Sequence, residues 1–141
     1  HLFLFPCLHD SFGVYLEALA YGVPVLTTKI YDKDEIVIHN KTGYLFDTPI
    51  PLYDGNFGYD YRSWSDFIGL IKESLNSGFF DVLIEQITCQ IEILITDRTT
   101  LEQLSINSQD FCANQLSFSR KNQEILALYS KVIQEINNEE V

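Results

Sequence analysis

The sequence has few basic residues. Among its 141 residues, 9 are Lys or Arg and 20 are Asp or Glu, so the formal net charge is −11 at pH 7. Nucleic acids and anionic lipid surfaces are bound through clustered positive charge, so we expect this chain to bind neither. Part of the acidic excess lies at Glu135, Glu139 and Glu140, where it is typical of a solvated helix end.

Methionine is absent and cysteine is scarce. Cys7, Cys89 and Cys112 are odd in number and lack the spacing of zinc ligands, which favours free thiols in a reducing compartment and predicts no metal site. No apolar run reaches the roughly 18 residues of a membrane-spanning helix, and no signal peptide is visible. We therefore expect a cytoplasmic location, with peripheral membrane attachment through a part outside this sequence as the alternative.

The composition is globular, with 46% hydrophobic and 13% aromatic residues. The first residues, His1 to Pro6, already form an apolar run that is typical of a buried strand. Because this run opens a chain without methionine, we expect the chain to be a piece of a longer protein.

The first 46 residues alternate strand and helix patterns. Strand, helix and strand in succession predict a parallel sheet with a right-handed crossover, in which ligands bind beyond the carboxyl ends of the strands. The expected fold class is therefore α/β, with a partial Rossmann-like parallel sheet followed by a helical C-terminal region. The predicted strands are 2–5, 25–27 and 44–46, and the predicted helices are 12–21 and 34–38.

The rest of the chain divides into two parts. Residues 47–62 predict a long loop rich in Pro, Gly and Tyr, whose aromatic side chains either stack on a sugar ring or hold the loop to the surface. Residues 63–141 are mostly helical. We predict helices at 63–76, 81–96 (with a strand as the alternative for 92–96), 100–115 capped by Thr100, and 119–138 capped by Ser119.

A loop that opens directly into the first helix is the most informative segment. A helix start carries unpaired backbone N–H groups and a partial positive charge, which together bind phosphate well. Glu17 lies one turn after Gly13, so its carboxylate shares this small volume. The apolar residues around Glu17 predict a buried helix, in which the carboxylate either forms a structural ion pair or capping contact or accepts hydrogen bonds from a vicinal diol.

The segment Asp10-Ser-Phe-Gly-Val-Tyr-Leu-Glu17-Ala-Leu-Ala-Tyr-Gly-Val-Pro24 resembles the donor-binding segment of retaining glycosyltransferases of family 4, which have the two-domain GT-B fold. Further along, Asp34-Glu-Ile-Val37 resembles the Pro-Glu-Ile-Val segment of that family. Lys41-Thr-Gly-Tyr-Leu-Phe46 resembles its Gly-x-Thr-Gly-x-Leu-Val strand, and Leu116-Ser-Phe-Ser119 resembles the start of its last helix. These matches run from end to end of the chain in the family's order.

The resemblance implies the roles of the site residues. Glu17 matches the acid that binds the ribose hydroxyls, and Asp10 matches the acid close to the donor sugar. Asp10 and Glu17 are seven positions apart where the family has eight, so either Asp10 or His9 takes the position near the sugar. The expected donor-binding residues are Ser11, Phe12, Gly13, Val14 and Glu17.

Two other departures concern the donor site. The family commonly has Gly-Gly-x-Pro where this chain has Tyr31-Asp-Lys-Asp34, so side chains are expected to crowd this loop. The Arg and Lys that neutralise the donor diphosphate in the family have no counterpart before Asp10.

By resemblance, residues 1–141 are part of the C-terminal nucleotide-sugar-binding domain of a hexosyltransferase-type enzyme. It would transfer a sugar from a UDP- or GDP-sugar with retention, without a metal or other cofactor, and the segment alone is expected to be inactive. The missing N-terminal GT-B domain would be its partner, and the last helix, which packs on that domain in the family, would lose its apolar contact and favour self-association or local disorder. The alternatives are a degenerate module that assembles with a partner subunit and an unrelated small doubly wound domain.

Overall fold

The computed structural model describes residues 1–8, 13–31, 33–48 and 64–139. Its first part is a parallel three-stranded sheet in the order β1-β2-β3, with Phe3 opposite Val25 and Val25 opposite Gly43. Two helices connect the strands. The elements are β1 (Phe3–Phe5), α1 (Gly13–Ala20), β2 (Val25–Lys29), α2 (Lys33–Ile36) and β3 (Gly43–Asp47).

The central strand β2 is buried on both faces. The expectation of a buried strand at the start of the chain is wrong, because β1 is at the edge of the sheet and exposes Leu4 and Phe5. Val25 packs on one face with Tyr15 and Leu19 of α1. Leu26 packs on the other face, in a cluster completed by residues of β3 and of the later helices: Phe46, Leu83, Ile87, Leu94 and Leu104. The sheet therefore has helices on both faces, and this part of the α/β prediction is confirmed.

Gly22 ends α1, as the sequence predicts. Its φ of 68° lies in the left-handed region, its N–H donates to the Leu19 carbonyl at 2.9 Å, and the N–H of Val23 donates to the Ala18 carbonyl at 2.9 Å. The chain then turns back into β2, which places the start of α1 and the carboxyl end of β1 on the same side of the sheet.

Four helices follow. They are α3 (Trp64–Asn76), α4 (Phe79–Thr96), α5 (Arg98–Gln115) and α6 (Phe118–Glu139). The alternative of a strand at 92–96 is wrong, because α4 continues to Thr96. Hydroxyls of α5 bind the amino-terminal side of the sheet, where Ser105 donates to the Gly22 carbonyl at 2.6 Å and Ser108 to the Thr42 carbonyl at 3.2 Å.

Two predicted helix caps are wrong by a few residues. Asp97 caps α5, because its carboxylate accepts from the backbone N–H of Thr100 at 3.0 Å and from the Thr100 hydroxyl at 2.6 Å. At the start of α6, the Ser117 hydroxyl accepts from the Arg120 N–H at 3.4 Å. Thr100 and Ser119 therefore lie inside the helices that they were expected to cap.

The last helix, α6, exposes its apolar side chains. Its only ion pairs among the described residues are local, such as Arg120 with Glu124 at 2.7 Å. Self-association or disorder of this helix stays a prediction. The exposed apolar residues are Phe118, Ile125, Leu126, Leu128, Tyr129, Val132, Ile133 and Ile136.

Two further sequence predictions concern residues that lie wholly or partly outside the described ranges. The loop predicted at 47–62 lies outside them except for Asp47, which ends β3, and Thr48. The division into 1–46, 47–62 and 63–141 stays a prediction. In the part of the chain that is described, no helix combines the length and apolarity needed to cross a bilayer.

Candidate functional site

The candidate site lies where β1 and β2 end and α1 begins. β1 ends at Phe5, α1 begins at Gly13, and β2 ends at Lys29. Ligands of open parallel sheets bind at this carboxyl edge. Of the predicted site residues, Gly13, Val14 and Glu17 are described, whereas His9, Asp10, Ser11 and Phe12 lie outside the described residues.

Glu17 is exposed, so the expectation of a buried carboxylate is wrong. The reason is that α1 buries only one side: Tyr15 and Leu19 point into the core, whereas Val14 and Leu16 are 38% and 37% exposed. No described residue forms an ion pair with Glu17. The alternative of a structural ion pair therefore has no partner among the described residues.

Gly13 and Glu17 lie one turn apart on the exposed side of α1. A Cβ added at Gly13 would meet no heavy atom of the described residues within 4 Å, apart from those of its own helix backbone. The first turn of α1 is therefore open to solvent on the side that carries the carboxylate. This arrangement leaves space for a ligand that contacts both the helix start and Glu17.

Behind this open side lies a fully buried lysine, Lys33, the first residue of α2. The sequence predicts a polar loop from Lys29 to Asp34, and this is wrong at both ends, because Lys29 belongs to β2 and Lys33 to α2. The Lys33 Nζ donates to Thr27 Oγ1 at 3.2 Å, to Thr28 Oγ1 at 3.5 Å and to Cys7 Sγ at 3.2 Å. Burying an amine needs such polar contacts, and the strand ends provide them.

The polar side chains around Lys33 are themselves held by the sheet. The Thr27 hydroxyl donates to the Phe5 carbonyl at 2.8 Å, and the Thr28 hydroxyl donates to the Cys7 carbonyl. The Tyr15 hydroxyl lies 3.3 Å from Thr27 Oγ1 and 3.2 Å from Cys7 Sγ. The network therefore joins β1, β2, α1 and α2 at one edge.

This network places the Lys33 amine against the ring of Tyr15, a residue of α1. The Lys33 Nζ lies 5.1 Å from the centre of the Tyr15 ring, and Tyr15 is the third residue of the helix. The amine and the unpaired amides of the helix start both contribute positive potential to the same edge of the sheet. An anionic group bound there would be stabilised by both.

In the loop before α2, Tyr31 adopts a left-handed backbone conformation that is more usual for glycine. Tyr31 has a φ of 50°, in the left-handed region that glycine favours, at the position where the resembling family has its first glycine. Its side chain packs into a cluster around Ile30 and Phe67. Tyr31 is half-buried and Lys33 is fully buried, so both of these side chains turn into the protein. Asp34 is exposed and Asp32 lies outside the described residues, so the expected crowding of this loop stays a prediction.

A shallow cleft continues the edge beyond β2 and β3. Its volume is about 300 Å³. One wall is fixed by His39, whose Nδ1 accepts from the Leu45 N–H at 3.1 Å and whose ring meets Tyr44 edge-on at 5.5 Å. The cleft is lined by Lys29, Asp34, Ile38, His39, Leu45 and Asp47.

Sequence reasoning missed the role of Lys33, Cys7, Thr27 and Thr28. Lys33 was interpreted only as a crowding side chain, and the other three as parts of strands or loops. A signal was present, because polar residues that directly follow apolar strand segments line the carboxyl edge of a parallel sheet. Within the described ranges, no three His, Cys, Asp or Glu side chains are grouped so that they could hold a metal ion.

Comparison with known proteins adds one finding. Residues 1–51 match the model of the family described as glycosyl transferases group 1. The matched segment contains β1, α1, β2, α2 and β3, and therefore the whole candidate site. This match supports a glycosyltransferase domain at this segment. No curated protein matches the chain.

Proposed function

We propose that this chain carries the donor-binding segment of a retaining, GT-B glycosyltransferase of family 4 that uses a nucleotide-sugar donor. The observation that carries the proposal is the open first turn of α1, with Gly13 and Glu17 exposed one turn apart at the carboxyl edge of the sheet. The family match to residues 1–51 supports it. The donor would be a UDP- or GDP-sugar.

The geometry favours binding of a nucleoside diphosphate. The amides of Gly13 and Val14 lie in the first turn of α1, where the helix dipole and unpaired N–H groups attract phosphate. Lys33 adds a buried positive charge next to this turn. The exposed carboxylate of Glu17 can accept hydrogen bonds from both hydroxyls of a ribose.

The same features would assist the chemical step. When the bond between the sugar and the diphosphate breaks, negative charge builds up on the leaving diphosphate, and fixed donors and dipoles stabilise that charge. In this proposal Ser11, Phe12, Gly13 and Val14 face the diphosphate, and Asp10 or His9 lies next to the donor sugar. No metal or other cofactor is assigned a role.

A second function is favoured by one observation. Asp10 and Glu17 are seven positions apart, one fewer than in the resembling family. A residue removed inside a helical turn rotates the preceding chain by about 100° around the helix axis, which would turn the first acid away from the sugar. On this reading the chain is a non-catalytic GT-B-like module that assembles with a partner subunit.

The test is a titration of the chain with UDP and GDP, followed by amide NMR. We expect shifts at Gly13, Val14 and Glu17 for at least one nucleotide. Glu17→Gln should then weaken binding by about 1–3 kcal/mol, roughly 5- to 150-fold, because hydrogen bonds to a charged acceptor are lost. Gln and Glu have similar helix propensities, so the helix should be retained.

Glu92→Gln is the matched control, since Glu92 is exposed on α4, outside the candidate site. It should leave nucleotide affinity unchanged. The absence of any shift at millimolar nucleotide would refute donor binding by this chain. Equal effects of the Glu17 and Glu92 variants would show that Glu17 does not bind the ribose. If nucleotide binds but no sugar is transferred by the protein in its natural length, the non-catalytic function is supported.

A further inference from the structure

Cys7 and Lys33 form a contact in which the proposed donor site uses the Lys33 amine but assigns no role to the Cys7 thiol. The Lys33 Nζ lies 3.2 Å from the Cys7 Sγ. Cys7 follows β1 by two residues, and Lys33 begins α2, so the contact joins two segments that are far apart in the sequence. A thiol and a primary amine are thus held in contact at the carboxyl edge of the sheet.

The contact is held from several sides. Thr27 and Thr28 accept hydrogen bonds from the Lys33 Nζ, and the Tyr15 hydroxyl lies 3.2 Å from the Cys7 Sγ. Lys33 and Tyr15 are both fully buried, so neither has room to swing away. Groups fixed in this way react with each other at effective concentrations far above those of free reagents.

The two partners differ in their access to small oxidants. Cys7 is half-buried, and the reaction requires that hydrogen peroxide reaches its sulfur. Lys33 is 0% exposed and is screened from other electrophiles. A sulfenic acid formed on Cys7 would therefore have the Lys33 amine as a neighbour within contact distance.

We propose that peroxide converts this pair into a covalent, thiol-reversible bridge between Cys7 and Lys33. In the first step the thiol gives a sulfenic acid and peroxide is reduced to water: Cys–SH and H₂O₂ yield Cys–SOH and H₂O. In the second step the amine attacks sulfur as its free base and expels water: Cys–SOH and H₂N–Lys yield Cys–S–NH–Lys and H₂O. A proton initially on the amine is released to solvent.

A second form of the bridge retains one oxygen atom between sulfur and nitrogen and joins the same two residues. With two equivalents of peroxide, Cys–SH and H₂N–Lys yield Cys–S–O–NH–Lys and three molecules of water. Sulfenic acids are known to condense with nitrogen nucleophiles, and the products are reopened by thiols. Either form would fasten the segment after β1 to the start of α2.

The test uses the unmodified chain and mass spectrometry. Lys29 lies between the two residues, so trypsin places Cys7 and Lys33 on separate peptides. After peroxide treatment we expect one linked species. Its mass should equal the sum of its two peptides minus two hydrogens for the S–N bridge, or that sum plus one oxygen and minus two hydrogens for the S–O–N bridge. Trypsin should no longer cleave at Lys33, and dithiothreitol should restore both peptides.

Cys89 is an internal control. It is exposed in a cleft lined by Phe46, Val82, Glu85, Gln86 and Gln90, none of which carries an amine. It should proceed to sulfinic and sulfonic acids without a link to lysine. The matched variants are Cys7→Ser, which should abolish the linked species, and Cys89→Ser, which should leave it unchanged.

Two results would overturn the proposal. One is recovery of Cys7 as a thiol, a disulfide or a sulfinic acid, with Lys33 still cleaved, at a peroxide dose that oxidises Cys89 completely. The other is equal yield of the link in concentrated urea, since a bridge that forms in the unfolded chain does not depend on the native contact. A native yield at least tenfold above that in urea supports it.

Discussion

Gly43→Ala should destabilise the protein severely. Gly43 opens β3 and pairs with Val25 of β2. A Cβ at this position would lie 2.0 Å from the Val25 carbonyl oxygen and 2.8 Å from the Val25 carbonyl carbon. Both are backbone atoms of the central strand, so a change of side-chain rotamer cannot relieve the contact. The strands themselves have to separate.

The magnitude follows from what that separation would break. The Val25 N–H donates to the Thr42 carbonyl at 3.3 Å, and this bond belongs to the pairing of β2 with β3. Each bond contributes about 1 kcal/mol, and each buried group left unpaired costs about 1–3 kcal/mol. Val25 is also fully buried. We expect a loss of about 3–5 kcal/mol, a large share of the roughly 5–15 kcal/mol that stabilises a domain.

The control is the same substitution in a helix. Gly69 lies in α3, and a Cβ there would meet nothing within 4 Å. Gly69→Ala should stabilise the protein by about 0.5–1 kcal/mol through helix propensity. Urea unfolding followed by far-UV circular dichroism measures both variants. If Gly43→Ala unfolds within about 1 kcal/mol of the unmodified chain, the close strand contact is not a constraint and the reasoning fails.

Two further predictions concern the helices. Leu94→Ala should lower the free energy of unfolding in urea by about 2–5 kcal/mol, because Leu94 is fully buried. Ile95→Ala is the control and should lower it far less, since Ile95 is 61% exposed. Similar losses of stability in the two variants would contradict the packing of α4. Hydrogen bonds from Thr100 hold the pKa of Asp97 below its usual value near 3.8. The stability that the ionised Asp97 cap contributes is present above the usual pKa and is lost as the pH falls through the lower pKa of the folded state. Asp97→Asn should therefore flatten the pH dependence of the urea midpoint below pH 4. An unchanged slope would refute the cap.

The strand and helix order of the first 46 residues could be predicted because each element carries its own signal. The apolar pair Val25 and Leu26, directly after Pro24, marks the start of β2. Gly22 supplies the left-handed residue that ends α1. These signals are local, so they can be interpreted without knowing which residues meet in space.

The sequence misplaces both helix caps because several neighbouring polar residues could each cap the helix, and sequence alone does not decide which one does. Thr100 followed by Gln103 satisfies the capping-box pattern, yet Asp97 three residues earlier is the better acceptor. Both choices place a polar side chain before an apolar periodic segment. Only the geometry of the last turn of α4, which ends at Thr96, decides between them.

The burial of Lys33 could not be predicted, because it depends on groups contributed by two other segments, β2 and the residues after β1. A lysine in a polar segment is normally exposed. Here the hydroxyls of Thr27 and Thr28 and the Cys7 sulfur accept hydrogen bonds from its Nζ. The sequence contains each partner, but their convergence follows from the register of β1 on β2 and the position of α2.

Tyr31 combines a left-handed backbone with a large side chain. A tyrosine in the left-handed region costs about 1–2 kcal/mol relative to an ordinary conformation. That cost is offset by packing of the ring around Ile30 and Phe67, which draws the side chain toward α3. Lys33 is buried as well, so the bulk of these two side chains lies in the interior rather than on the open side of α1. Both side chains are therefore compatible with a ligand at Gly13 and Glu17.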